Sequence, residues 1–155
     1  MSKSISYPHP VEAKISSISA VPIDLGYLVS LAHDPKAGAV VMFSGEARNH
    51  NNGDSVTGLE YEAYEPMAVK MIDEIVQEAI VKFSLHKAFC VHRVGLVGIS
   101  ESAVVVVTAS SHRGEAYEAN RYIIDRVKHE APIWKMEVFA NGSKKFSHNC
   151  SCHNH

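Results

Sequence analysis

In the segment VKHEAPIWK, residues 127–135, Lys128 and Lys135 stand on either side of Pro132, where a helix must end. Two ammonium groups around one corner are either ordinary surface charges or cations aimed at a common point. A lysine near a helix C-terminus complements the dipole and is normally solvated, so each alone reads as structural. Pro132 and Trp134 fix the corner, however, and that lets Lys128 and Lys135 reach one pocket wall. Crowding among cations lowers a lysine pKa and makes a neutral, nucleophilic amine accessible.

Other cations also fall at the ends of expected elements. Arg48, Asn49 and His50 follow an apolar run, and His112 with Arg113 opens a helix. Free amides and the helix dipole already favour an anion at that place, so added positive charge is unfavourable without one. The pair therefore points to an anionic ligand, or to an ion pair of Arg113 with Glu115 or an acidic strand face. His92-Arg93 at a strand end reads as core packing or as a site for an acidic partner. The tail HNCSCHNH carries His148, Cys150, Cys152, His153 and His155, all ligand types, yet its spacing matches no paired zinc pattern. No metal site is expected. The G-x-x-x-x-G-K, G-x-G-x-x-G, H-E-x-x-H and G-x-S-x-G signatures are absent, which withdraws the usual support for nucleotide hydrolysis, zinc proteolysis and serine esterase chemistry.

The elements that must position these groups follow from composition and periodicity. The 155 residues, 46% hydrophobic and 21% charged, fit one soluble domain with a sizeable core. A formal net charge of −2 opposes broad binding to nucleic acid, so an anion must be held by a local cluster. Nothing approaches the roughly 20 apolar residues of a membrane span. The start lacks the apolar core of a secretion signal, and three cysteines form no secreted-type framework, so a reducing, cytoplasmic setting is expected.

Residues 1–17 read as a flexible leader, 18–146 as the domain and 147–155 as a polar tail. Asp24 caps a short first helix. AVVMFSG, from Ala39, reads as a strand buried on both faces and central in its sheet, and the segment after it as a loop. VTGLEYEAYE alternates as a strand. Pro66 opens a second helix striped by Met67, Met71, Ile75 and Ala79, with Ala68, Ile72 and Ile80 beside them. AFCVHRVG and AVVVVTAS are strands. A third helix carries Ala116, Ala119, Ile123 and Val127 inward, with serines at its mouth as caps, and IWKMEVFA returns as a strand. The class is α+β, with three main helices and a mixed sheet.

On the segments GAVVMFSGEARNHNNGDSVTGLEYEAY, VHRVG, SSHRGEAYEANRYIIDRVK and APIWKMEV, the chain resembles the large, catalytic subunits of molybdopterin synthase from about Gly38 to Glu137. The resemblance implies an α/β hammerhead-like fold with a mixed, largely antiparallel sheet. It implies sulfur transfer from the C-terminal thiocarboxylate of a small ubiquitin-like subunit to cyclic pyranopterin monophosphate, forming the molybdopterin dithiolene. By motif position Lys128 and Lys135 match the family's active-site lysines, Arg48 its loop arginine, and His112 with Arg113 its His-Arg pair. Two such chains would form the central homodimer of a heterotetramer, with pocket residues shared between them. No cofactor and no cysteine nucleophile is called for, and Cys90 should be buried and inert. The chain departs from many relatives at Met136, where a basic residue is common, and at Phe146, in place of a tryptophan. A non-catalytic anion-sensing module, or a scaffold that docks a ubiquitin-like tail, are the alternatives.

Overall fold

A computed structural model describes residues 15–51 and 53–147. The chain runs through β1 (Ile18–Ser19), α1 (Leu25–Ala32), β2 (Ala39–Glu46), β3 (His50–Asn51), β4 (Asp54–Ala63) and α2 (Glu65–Phe83). It continues through β5 (Lys87–Arg93), β6 (Gly95–Gly98), β7 (Ser102–Ser110), α3 (Arg113–Glu130), β8 (Ile133–Phe139) and β9 (Lys144–Ser147). Two sheets result. One has the order β1-β5-β7-β2, parallel at β1/β5 and antiparallel elsewhere; the other has β3-β4-β8-β9, with β6 also paired to β4. The class is α+β, as the sequence implied.

β7 shows why a strand can be apolar throughout. Val104 and Val106 face the main core with α2 and α3, while Val105, Val107 and Ala109 face a second cluster under Leu28 and Ala32 of α1. Successive side chains point to opposite faces, and both faces of this strand are covered. β2 has the same look in sequence but lies at the sheet edge, against the expectation of a central strand. Its Met42 and Phe43 are 40% and 37% exposed. No residue of β2 is fully buried, so here an apolar run marks neither the covering of both faces nor a hydrogen-bonded neighbour on each side.

α1 is capped as expected, with Asp24 Oδ1 accepting from the Tyr27 amide at 3.0 Å. The buried stripe of α2 is Ala68, Ile72, Ile75, Val76 and Ala79, which corrects the expected one: Met67, in the first turn, is 45% exposed. α3 buries the expected Ala116, Ala119, Ile123 and Val127. Asn120 lies in the same stripe, where its amide donates to the Val41 and Val106 carbonyls at 3.1 and 3.0 Å and rivets the helix across β2 and β7. The serines do not cap α3. His112 is the N-cap residue and makes no side-chain cap; Ser110 Oγ donates to the His112 carbonyl, and Ser111 Oγ bonds to His86 Nε2 at 2.8 Å.

β6 and β9 are strands where a connection and a polar trail were expected. At the other boundary Ser17 is already part of the fold, since its carbonyl accepts from the His92 amide and its hydroxyl bonds to Asp73. His148, Cys150, Cys152, His153 and His155 lie outside the described residues, as does most of the expected leader.

Candidate functional site

Pro132 ends α3 as its chemistry requires, and the corner is anchored from outside. The Pro132 carbonyl accepts from the Tyr64 amide at 3.1 Å, and the Ile133 amide donates to Ala131 at 2.8 Å. The turn therefore holds the last turn of α3 beside the start of β8. Alternation along β8 then sends Ile133, Lys135, Glu137 and Phe139 to one side, where all four line a cleft of 590 Å³. Lys128 reaches the same cleft from α3, and Arg48 reaches it from the β2–β3 connection. Three of the five expected cations are thus brought together.

Arg48 is placed by backbone. Ala47, buried before it, donates to the Glu101 carbonyl at 3.3 Å and accepts from the Ser100 amide at 2.9 Å. Glu101 braces that turn in its own right, accepting from the Gly98 amide at 3.0 Å and from Arg93 at 3.4 Å. On the far side the Val56 amide donates to Asn49 at 2.9 Å. A register irregularity at Gly45/Glu46 bends β2 just before this segment, the usual effect of a bulge on side-chain aim.

The cleft presses on Lys135. Burial lowers its pKa from the ordinary value, Lys128 and Arg48 lower it further, and only Glu137 opposes them. Glu137 is itself buried and accepts from Asn51 Nδ2. Across the strands Lys135 stands opposite Tyr61, whose hydroxyl burial pushes up to about 12. Glu46, Asp54 and Glu137 also line the cleft, but around Lys135 the cations Lys128 and Arg48 face only Glu137, which Asn51 already engages, and that part of the wall favours an anionic occupant.

His112 and Arg113 are elsewhere. Both are exposed at the opposite end of α3, about 22 Å from Lys128 along the axis at 1.5 Å per residue. Among the described residues Arg113 has no ion pair with Glu115 or any other acidic side chain. The His92-Arg93 pair takes both roles left open for it: each is buried, and Arg93 pairs with Glu101.

Sequence reasoning did not place Glu137, Lys145 or His92 in the cleft, nor the acidic Glu46 and Asp54. Glu137 could have been found from its place two residues beyond Lys135 on one strand face. Lys145, opposite Glu137 on β9, was signalled by the Asn-Gly of ANGSKK, a hairpin cue. His92 was noticed but not placed in the site. No group of three or more His, Cys, Asp or Glu side chains that could hold a metal occurs among the described residues.

The model of the MoaE protein family matches residues 18–130. The chain is 44% identical over 122 residues to the molybdopterin synthase catalytic subunit of Thermoplasma volcanium, covering 79% of this chain and 87% of that one. It is 42% identical over 127 residues to the subunit of the same name from Bacillus subtilis, covering 82% and 81%. Among solved structures it is similar to molybdopterin synthase from Staphylococcus aureus, with a TM-score of 0.82 and 37% identity over 88% of this chain and 98% of that one. The MoaE protein of Burkholderia ambifaria gives 0.73 and 31%, over 87% and 89%.

Proposed function

This chain belongs to the MoaE family of molybdopterin synthase catalytic subunits, and on that premise we propose that the cleft between α3, β4 and β8 is its sulfur-transfer site. The convergence of Lys128, Lys135 and Arg48 on one cleft carries the reading. Cyclic pyranopterin monophosphate brings a phosphate to it, and a small ubiquitin-like subunit brings a C-terminal thiocarboxylate. Both are anions, and guanidinium and ammonium groups bind them with charge-assisted hydrogen bonds.

In each transfer a carbon–sulfur bond forms to a side-chain carbon of the pterin as a carbon–oxygen bond at that carbon breaks, the oxygen staying on the phosphate in one case and leaving as water in the other. The thioacid carbon–sulfur bond is then cleaved by water, which returns a carboxylate tail and leaves the thiolate on the pterin. Lys128 stabilises the oxyanion that develops at the acyl carbon during that cleavage. Lys135, held below its ordinary pKa, is the amine best suited to exchange a proton with the reacting groups. The one cysteine among the described residues is unsuited to carry sulfur: Cys90 is buried and free, and burial first, then Asp73, push its thiol up to about 12.

His112 and Arg113 complete the site from a second copy of the chain, which is how a pair so far from Lys128 in its own chain comes to bind substrate. The free edge of β2, with Met42 and Phe43 exposed, gives a second copy a surface to cover.

Reconstitution with thiocarboxylated small subunit and the cyclic pterin tests the reading through formation of the dithiolene. Lys128→Ala should lose at least about 100-fold in turnover, the scale of removing one oxyanion-stabilising group, with an unchanged circular dichroism spectrum. Binding of the pterin without any product from the parent protein would leave an anion-sensing module instead.

A further inference from the structure

His92 lies near the end of β5 with its side chain on the floor of the cleft. Its backbone is held on both sides, since its amide donates to the Ser17 carbonyl at 2.8 Å and it pairs with Val104 on β7 and Ile18 on β1. The ring is fixed as well. Nδ1 lies 2.8 Å from the Arg93 carbonyl, which can only accept, so Nδ1 carries the proton and donates it. The Tyr61 ring meets the imidazole edge-on, 4.9 Å between centroids and at 74°. This tautomer leaves the lone pair on Nε2, which has no partner among the described residues and is not sealed from solvent.

Lys128 and Lys135 line the same cleft as the imidazole. Tyr61, against the imidazole, is the cross-strand partner of Lys135. Lys128 acts on it from the end of α3: burial drives the imidazole pKa down to about 4, the Arg93 carbonyl opposes the shift, and the Lys128 charge adds to it. A wall of cations needs an acceptor that directs an ammonium group without cancelling its charge. A carboxylate would cancel the charge, and a protonated imidazole would repel it. A neutral imidazole of fixed tautomer does neither.

We propose that His92 is a positioning residue whose Nε2, without a partner in the described arrangement, accepts a hydrogen bond from the Lys128 ammonium in solution and so holds that cation over the cleft floor. The consequence for turnover rests on the sulfur-transfer reading above, whereas the contact itself does not.

Two measurements on the full chain separate these. In imidazole ¹⁵N spectra, Lys128→Ala should move the Nε2 resonance of His92 and leave Nδ1 in place. An unmoved Nε2 overturns the contact, whatever the activity. In the reconstituted assay His92→Leu should lower kcat on the order of 10- to 100-fold, the loss of one hydrogen bond to a charged group, with KM for the pterin within about twofold. His92→Gln, which puts an amide oxygen near the position of Nε2, should recover to within about threefold of the parent. Equal losses in the two variants, or a loss in KM alone, would overturn the positioning role. Should His92→Leu fail to fold, the spectra of the parent and Lys128→Ala still decide. Full turnover by Lys128→Ala together with a displaced Nε2 would sink the sulfur-transfer role of Lys128 while the contact stands.

Discussion

Burial, Lys128 and Arg48 all press Lys135 toward its neutral form, and Glu137 alone resists. Its folded pKa therefore lies below the unfolded value. Between the two the unfolded chain binds more protons, so stability rises with pH across that window, and below it the cost of confining the charge is present in full. Lys135→Met should accordingly unfold at a higher temperature at neutral pH, by a gain on the order of 0.5–2 kcal/mol, while turnover falls. Calorimetry beside the assay checks both halves; a less stable variant would mean that Lys135 is held by net attraction. His92 gives the same sign in a different window. Its pKa falls from 6.5 to about 4 on folding, so stability is lost as pH drops from 6.5 toward 4, by about 3 kcal/mol. Tyr61, its hydroxyl pushed up to about 12 by burial, stays neutral throughout that range. Urea unfolding of His92→Gln between pH 7 and 4 should show a shallower pH dependence than the parent.

At the level of elements, the corner before α3 depends on a glycine. A Cβ on Gly38 would lie 2.4 Å from the Ser111 carbonyl oxygen, and the Gly38 amide already donates to Ser110 at 3.0 Å. Backbone stands against backbone there, with no flexible side chain to yield. Gly38→Ala should cost about 1–3 kcal/mol in denaturant unfolding, the range for overpacking, and should displace His112 and Arg113 with the corner. Sequence disclosed α3 and its stripe because a long amphipathic helix repeats its period many times, and it disclosed the 131–133 corner because proline forbids the alternative. It hid the edge position of β2, since pairing partners are distant in the chain and apolar continuity does not record them. β9 was hidden for a related reason: Lys144, Lys145 and Phe146 are all exposed, so no alternation marks the strand. Within the site, Lys128, Lys135 and Arg48 were legible as cations at element ends. The part played by Glu137 was not, because it depends on Asn51 coming across from β3.

Considered as a whole molecule, the chain carries its two sets of expected site residues at opposite ends of one helix. On the two-copy arrangement proposed for the site, Lys128→Ala spoils the cleft and Arg113→Ala spoils the reach into its neighbour's. Each variant alone should be inactive or severely slowed. Random exchange between them yields half mixed pairs, each with one intact site, so an equal mixture should regain about a quarter of parental activity. Activity that stays at the level of the single variants after demonstrated subunit exchange would place both groups in one chain's site. The rigidity of α3, riveted through Asn120, adds a constraint that no side chain displays. One residue inserted in its exposed face turns everything beyond by about 100° and lengthens the rod by about 1.5 Å. Every chemical group would survive such a change, yet Lys128 would point away from its cleft. On the proposed site, the spacing between the two ends is a gauge cut in whole residues, and turnover should depend on that count as firmly as on the groups themselves.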